Sequence, residues 1–180
     1  MVNQLIEDKG QWTLLCLAAE NGHEMVVKLL LDTGKVNLHR EELQTALWLA
    51  ERKGYKAIVI IKGNTDIVLT ATVLISQLEG TAPITEVAEC TLVFDSFREF
   101  VRVNQAYLNI MIGKAGILSR TPLAGPPVAS TFKEMEKVYD TISITLINLC
   151  GSRATGLTSE ANSLGNTLDL AVKQYEGLSA

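Results

Sequence analysis

An echo near the N-terminus sets the tightest limit on how this chain can fold. Thr13-Leu-Leu-Cys-Leu-Ala-Ala-Glu-Asn-Gly-His23 returns 32 residues later as Thr45-Ala-Leu-Trp-Leu-Ala-Glu-Arg-Lys-Gly-Tyr55. Thr13/Thr45, Leu15/Leu47, Leu17/Leu49, Ala18/Ala50 and Gly22/Gly54 superpose at that one shift. A period near 33 residues marks a stacked helix-pair solenoid, whose units bury together a face that none can bury alone. The echo assigns the start of the chain to such a scaffold and leaves the larger remainder without a repeat.

The parts of the echo have local physical meanings. Thr13 is placed to open a short helix, its hydroxyl accepting an otherwise orphan backbone N–H. Leu15, Leu17 and Ala18 form the apolar face, with alanine where helices approach most closely. Gly22 and Gly54 fall where a helix ends and the chain reverses, a position that favours left-handed dihedrals. Met25, Val26, Leu29 and Leu30 then give the spacing of a second amphipathic helix. Asp32-Thr-Gly-Lys-Val-Asn37 reads as the closing turn.

Leu15-Cys-Leu-Ala-Ala-Glu-Asn-Gly-His-Glu-Met-Val-Val-Lys-Leu-Leu-Leu31 resembles the ankyrin repeat. The family's Thr-Pro-Leu-His is replaced by Thr13, Leu14, Leu15 and Cys16 in the first copy, and by Thr45, Ala46, Leu47 and Trp48 in the second. The second copy runs on into the β-branched Ala57-Ile-Val-Ile-Ile-Lys62. The resemblance implies two degenerate repeats within residues 1–63, and a surface that binds by side-chain variation. About three repeats are normally needed for stability. The pair is therefore expected to lean on the rest of the chain, on a partner or on a second copy, unless it is the vestige of a longer array.

Charge divides unevenly between the two parts. Residues 1–63 carry eight basic and eight acidic side chains and residues 64–180 carry eight and twelve, so the net charge of −4 belongs to the second part. No basic stripe appears, which argues against nucleic acid and anionic membrane surfaces as partners. Met1-Val-Asn-Gln-Leu-Ile-Glu-Asp8 lacks the basic start and apolar core of a secretory signal. The chain is accordingly expected to be cytoplasmic by default. No uninterrupted apolar run reaches the roughly 18 residues of a membrane span, so no transmembrane segment is expected. Cys16, Cys90 and Cys150 are widely spaced among apolar neighbours and read as buried free thiols rather than a disulfide or metal set.

Residues 64–180 read as an all-α, antiparallel bundle of four to five helices. A first helix is expected from Thr65 or Asp66 to Leu78, ended by Glu79-Gly-Thr-Ala-Pro83. A long second helix spans Thr85 to about Ser119, with Gly113 and Gly116 able to bend it. Thr121-Pro-Leu-Ala-Gly-Pro-Pro127 is expected to be a connector. Beyond it Phe132, Met135, Val138/Tyr139, Ile142, Leu146 and Leu149 step by three and four. Leu157, Ala161, Leu164, Leu168, Ala171 and Tyr175 do the same in the last helix.

Phe97-Arg-Glu-Phe-Val-Arg-Val-Asn-Gln-Ala-Tyr-Leu-Asn-Ile-Met-Ile-Gly-Lys-Ala-Gly-Ile-Leu118 and Ser163-Leu-Gly-Asn-Thr-Leu-Asp-Leu-Ala-Val-Lys-Gln-Tyr-Glu-Gly-Leu178 look like the fungal hydrophobic surface-binding protein A family. That family includes cell-wall galactomannoproteins. Over residues 65–178 the resemblance implies a bundle with an apolar interior, adsorption to hydrophobic surfaces, and a fatty acid held between helices. Such proteins are normally secreted, so the ankyrin fusion departs from the pattern.

No catalytic constellation stands out. His23 and His39 are the only histidines and fall in the repeats, and Gly113-Lys-Ala-Gly116 lacks the strand and the Lys-Ser/Thr of a phosphate loop. No cofactor and no metal is expected. Lys114 stands in an otherwise apolar stretch, where it would meet a carboxylate at a cavity mouth or lay its stem on apolar surface with the ammonium in water. Phe97, Val101, Tyr107, Met111, Phe132, Met135, Tyr139, Ile142 and Leu168 are the apolar candidates to line a cavity with it, or to form plain core. Asn104, Gln105 and Asn109 would join Tyr107 and Tyr139 at a polar end.

Three functions remain open on these grounds. The first is a non-enzymatic carrier of a fatty acid or other apolar ligand, with the repeats as an interaction element. The second is a protein-interaction or assembly module with a solid core and an exposed apolar patch. The third is a cofactor-free enzyme acting on an apolar substrate, with Lys114 or Asp140 as its ionisable group.

Overall fold

The computed structural model describes residues 13–33, 40–118 and 124–178. Within them the chain forms α1 (Leu14–Glu20), α2 (Glu24–Asp32), α3 (Arg40–Lys53), α4 (Lys56–Leu78), α5 (Val87–Lys114), α6 (Gly125–Leu149) and α7 (Ala154–Glu176). Short 3-10 turns at Ala115–Ile117 and Gly151–Arg153 extend α5 and precede α7. No strand occurs among the described residues. The protein is all-α, as its periodicities indicate.

Local chemistry explains the repeat. Thr13 Oγ1 accepts from the Cys16 N–H at 3.3 Å and caps α1. Gly22 and Gly54 adopt φ of +71° and +79°, and the N–H of the following residue turns back onto Ala18 O and Ala50 O, each at 2.9 Å. One cap is thus used twice, 32 residues apart. Thr45 has no matching role, because α3 begins five residues earlier, at Arg40. The rest of the closing turn, residues 34–39 with His39, lies outside the described residues.

Two cores meet at α4. Leu15, Cys16, Ala18, Ala19, Val27, Leu30, Ala46, Leu49, Ala50 and Ile58 form the repeat core. Ala57, Ile61 and Ala71 of the same α4 belong instead to the larger core built with α5, α6 and α7. The helix expected to start at Thr65 or Asp66 is therefore the continuation of the repeat's second helix. Gly63-Asn64 does not interrupt it, because Asn64 is fully buried and bonded across to α6. The proline-rich connector is likewise shorter than expected, since Gly125, Pro126 and Pro127 form the first turn of α6. Proline suits that turn, whose N–H groups have no intrahelical partner.

The repeats lean on the bundle. Lys28 of α2 is buried, and its Nζ donates to Asp32 at 2.6 Å and to Glu134 of α6 at 2.7 Å. Around the bundle, α6 lies between α4 and α7, and α7 between α6 and α5. Helices α4 and α5 barely touch, so the ring of four is open along that seam.

The open seam leaves α4 unusually bare. Its most apolar 18-residue window has a mean hydropathy of 1.7 with 28% of it buried, which by length and composition suffices to cross a membrane. The apolar run is interrupted by Lys62, Asn64, Asp66 and several threonines, as expected, but its mean hydropathy stays high, which makes α4 a weak candidate and not a clear span. Core helices of soluble proteins pass the same test, and α4 is held against α2, α3 and α6.

Candidate functional site

Two concave places stand out. The first is a cleft of about 360 Å³ where the α3–α4 turn faces the end of α5. Val59 and Ile60 of α4, Met111 and Leu118 give it apolar walls, while Glu51, Lys56 and Lys114 stand at its edge. Tyr175 of α7 closes the base and donates its hydroxyl to Met111 O at 3.0 Å. That buried bond fixes the end of α5 against α7.

Cations outnumber the one carboxylate, Glu51, at the edge of this cleft. Arg52, Lys53, Lys56 and Lys114 have no ion-pair partner among the described residues, whereas Lys28 has two and Lys62, Arg98, Arg102 and Lys133 have one each. Arg52 lies over the Trp48 ring, 4.5 Å from its centroid, and the indole is 54% exposed. Trp48 and Glu51 are three residues apart on α3 and so share one face. The exposed Trp48 therefore stands one helical turn from Glu51 of the cleft lining.

The second place is a groove of about 470 Å³ along the α4/α5 seam. Ile67, Ala71 and Leu74 form one wall, Phe100 and Tyr107 the other, and Tyr139 and Ile142 of α6 the floor. Its polar groups are already paired. The Tyr107 hydroxyl donates to Asn64 Oδ1, and Asn64 Nδ2 donates to Thr131 Oγ1 at 2.7 Å. The Tyr139 hydroxyl donates to Asn104 Oδ1, and Asn104 Nδ2 to Phe100 O at 2.8 Å. Burial pushes the Tyr107 phenol up to about 12, with Tyr175 adding to it, and raises Tyr139 as well. Both stay neutral donors at physiological pH.

The residues expected to line a cavity separate in the structure. Met111 and Lys114 reach the cleft, and Tyr107, Tyr139 and Ile142 reach the groove. Phe97, Val101, Phe132, Met135 and Leu168 line neither and lie in the bundle core. Phe97 stacks on Phe100 with centroids 6.0 Å apart, and Phe132 meets Tyr175 edge-on at 5.3 Å. Lys114 is exposed. Of the proposed polar end, Gln105 instead bonds Ser163 and Thr167 of α7, and Asn109 is exposed.

These arrangements are suited to binding. Lys114 and Asp140 are both exposed, and Asp140 lines neither the cleft nor the groove. No cluster of potential metal ligands occurs among the described residues. Cys16, Cys90 and Cys150 are buried free thiols, and burial followed by a hydrogen bond with Cys90 pushes Cys150 up to about 11. Trp48, Arg52 and Lys56 were missed by pattern reading, although Trp48 already broke the repeat by standing opposite Cys16.

Residues 1–71 match the family model described as "Ankyrin repeats (3 copies)". The chain thus contains ankyrin repeats, over a span that runs past residue 63 within α4. No curated protein and no solved structure matches the chain. Nothing found supports the resemblance of residues 65–178 to the hydrophobic surface-binding protein A family, or the fungal, cell-wall and lipid associations it carries.

Proposed function

We propose that this protein is a non-enzymatic protein-interaction module, in which ankyrin helix pairs are braced by a helical bundle. The ankyrin match over residues 1–71 carries this reading. It is supported by large apolar side chains standing exposed on those helices, among them Met25 and Leu29 of α2 and Trp48 of α3. In this reading the parts before and after residue 63 divide the labour: the repeats present a surface and the bundle holds them in shape.

A second reading, in which a fatty acid or other apolar molecule is bound, rests on one observation: Lys114 and Met111 share the junction cleft. The remaining core candidates of that reading pack on one another, with Phe132 and Met135 fully buried.

Site-specific photo-crosslinking tests the interaction reading. A benzoylphenylalanine at Leu29 or Trp48, in cells expressing the full chain, is expected to yield discrete protein adducts. The same probe at Val87, exposed at the far end of α5, serves as the control. Adducts equal in pattern at all three positions, or absent from all, would overturn the reading.

A further inference from the structure

Repeat symmetry locates an unfilled position. At the 32-residue shift, Trp48 of α3 corresponds to Cys16 of α1. Cys16 is 2% exposed because α3 covers it, and its thiol donates to Glu42 O at 3.7 Å. Trp48 is 54% exposed, and among the described residues α3 packs on α1 and α4, with no following helix laid over it. The bundle does cover the other helix of that pair: α6 packs along α4, and the end of α5 approaches Val59 and Ile60. The place of a next repeat is therefore filled against α4 and open against α3, and the 360 Å³ cleft lies at the boundary of the two.

The chemistry of that opening selects its occupant. Its walls are apolar, and its volume falls at the lower end of ligand sites, which run from about 300 to 1,000 Å³. Lys56 and Lys114 line it against a single carboxylate, Glu51, and Arg52 and Lys53 follow Glu51 in the chain; none of these four cations has an ion-pair partner among the described residues, in a chain of net charge −4. We propose that the cleft and Trp48 together dock an acidic segment of a partner protein, which places an apolar side chain in the cleft and carboxylates on Lys56, Lys114 and Arg52. The proposal rests on the interaction reading above and names the chemistry of the partner. A second copy of this chain packed symmetrically is disfavoured there, because it would bring the same cations face to face. A single fatty acid would fill the cleft and leave Trp48 bare. The concave shape admits an inserted side chain better than a flat lipid surface.

Selection of a random peptide display library on the immobilised full chain tests the proposal. Enriched peptides are expected to combine Asp or Glu with a large apolar residue. In fluorescence polarisation, the Kd of a selected peptide is expected to rise about tenfold for the Lys56→Gln/Lys114→Gln double variant. It should move less than about twofold for Lys137→Gln, which removes an exposed charge from α6, and should weaken with added salt. Both cleft lysines are exposed and unpaired, so the double variant keeps the fold, which circular dichroism checks. Neutral or basic peptides, no enrichment, or an unchanged Kd in the double variant would overturn the proposal. So would phosphatidylserine vesicles binding with the same lysine dependence. If photo-crosslinked partners persist at Trp48 in the double variant, this inference fails while the interaction reading stands; if crosslinking never occurs, both fail.

Discussion

Replacing Lys28 by methionine tests whether the bundle braces the repeats. The Lys28 side chain is 8% exposed and donates to Asp32 at 2.6 Å and to Glu134 at 2.7 Å, joining α2 to α6. Methionine keeps an unbranched apolar stem and removes the charge. Each hydrogen bond to a charged group contributes about 1.5–3 kcal/mol. The loss is smaller than their sum, because Asp32 and Glu134 are 38% and 30% exposed and water rehydrates them. The two carboxylates would also face each other without a cation. A net cost of about 2 kcal/mol follows, below the roughly 3–5 kcal/mol of a fully buried pair that loses one partner. For a chain of this size that lowers Tm by about 4–8 °C. Urea denaturation followed by circular dichroism at pH 7 measures the cost, and a cycle with Glu134→Gln isolates the bridge to α6, with an expected coupling near 1 kcal/mol. Alkaline pH gives an independent check. Burial alone would lower the Lys28 pKa, but its bonds to Asp32 and Glu134 outweigh burial and raise it above 10.5. A raised lysine contributes stability that is complete below its unfolded value and lost as pH rises through the folded one. The contribution of Lys28 should therefore fade above about pH 10.5. A cost under about 0.5 kcal/mol, or a coupling near zero, would refute the brace.

Other perturbations probe particular contacts. Gly22→Ala should destabilise more than Gly54→Ala in thermal melts: both have positive φ, but the new Cβ at Gly22 falls 2.7 Å from Tyr55 Cε1, whereas Gly54 faces open space. About 1 kcal/mol is expected at Gly54, and more at Gly22. Asn64→Leu should cost about 2–3 kcal/mol in chemical denaturation, because the Tyr107 hydroxyl and Thr131 each lose a partner. Burial pushes Tyr107 and Tyr175 up to about 12 and also raises Tyr139. The unfolded chain releases those protons near pH 10, so stability should fall as pH rises beyond that point. Absorbance at 295 nm should then show at least three of the four tyrosines ionising only with unfolding or well above pH 11.

Legibility followed the range of the interactions concerned. The Thr13 cap, the left-handed Gly22 and Gly54, and the inward face of α7 (Leu157, Leu164, Leu168, Ala171, Tyr175) all follow from neighbours in sequence, and the structure has each of them. The start of α4 did not, because Gly63-Asn64 looks like a break until Asn64 is seen bonded to Thr131, 67 residues away. The Lys28–Glu134 bridge spans 106 residues and leaves no local trace. Helical phase found the inward side chains of the bundle, such as Phe132 and Met135, but phase does not say whether the space between them is filled. The cleft was invisible for a further reason. It depends on what fails to stack on α3, and only Trp48, in place of a small buried residue, hinted at that.

The most direct discriminating measurement is native mass spectrometry of the full chain purified from cells that express it, before and after addition of excess oleate. The expected spectrum shows the bare chain or a complex with another protein, with no stoichiometric adduct after the oleate. An apolar molecule bound one to one on purification, or oleate taken up stoichiometrically and lost on Lys114→Gln, would contradict the interaction account and restore the carrier.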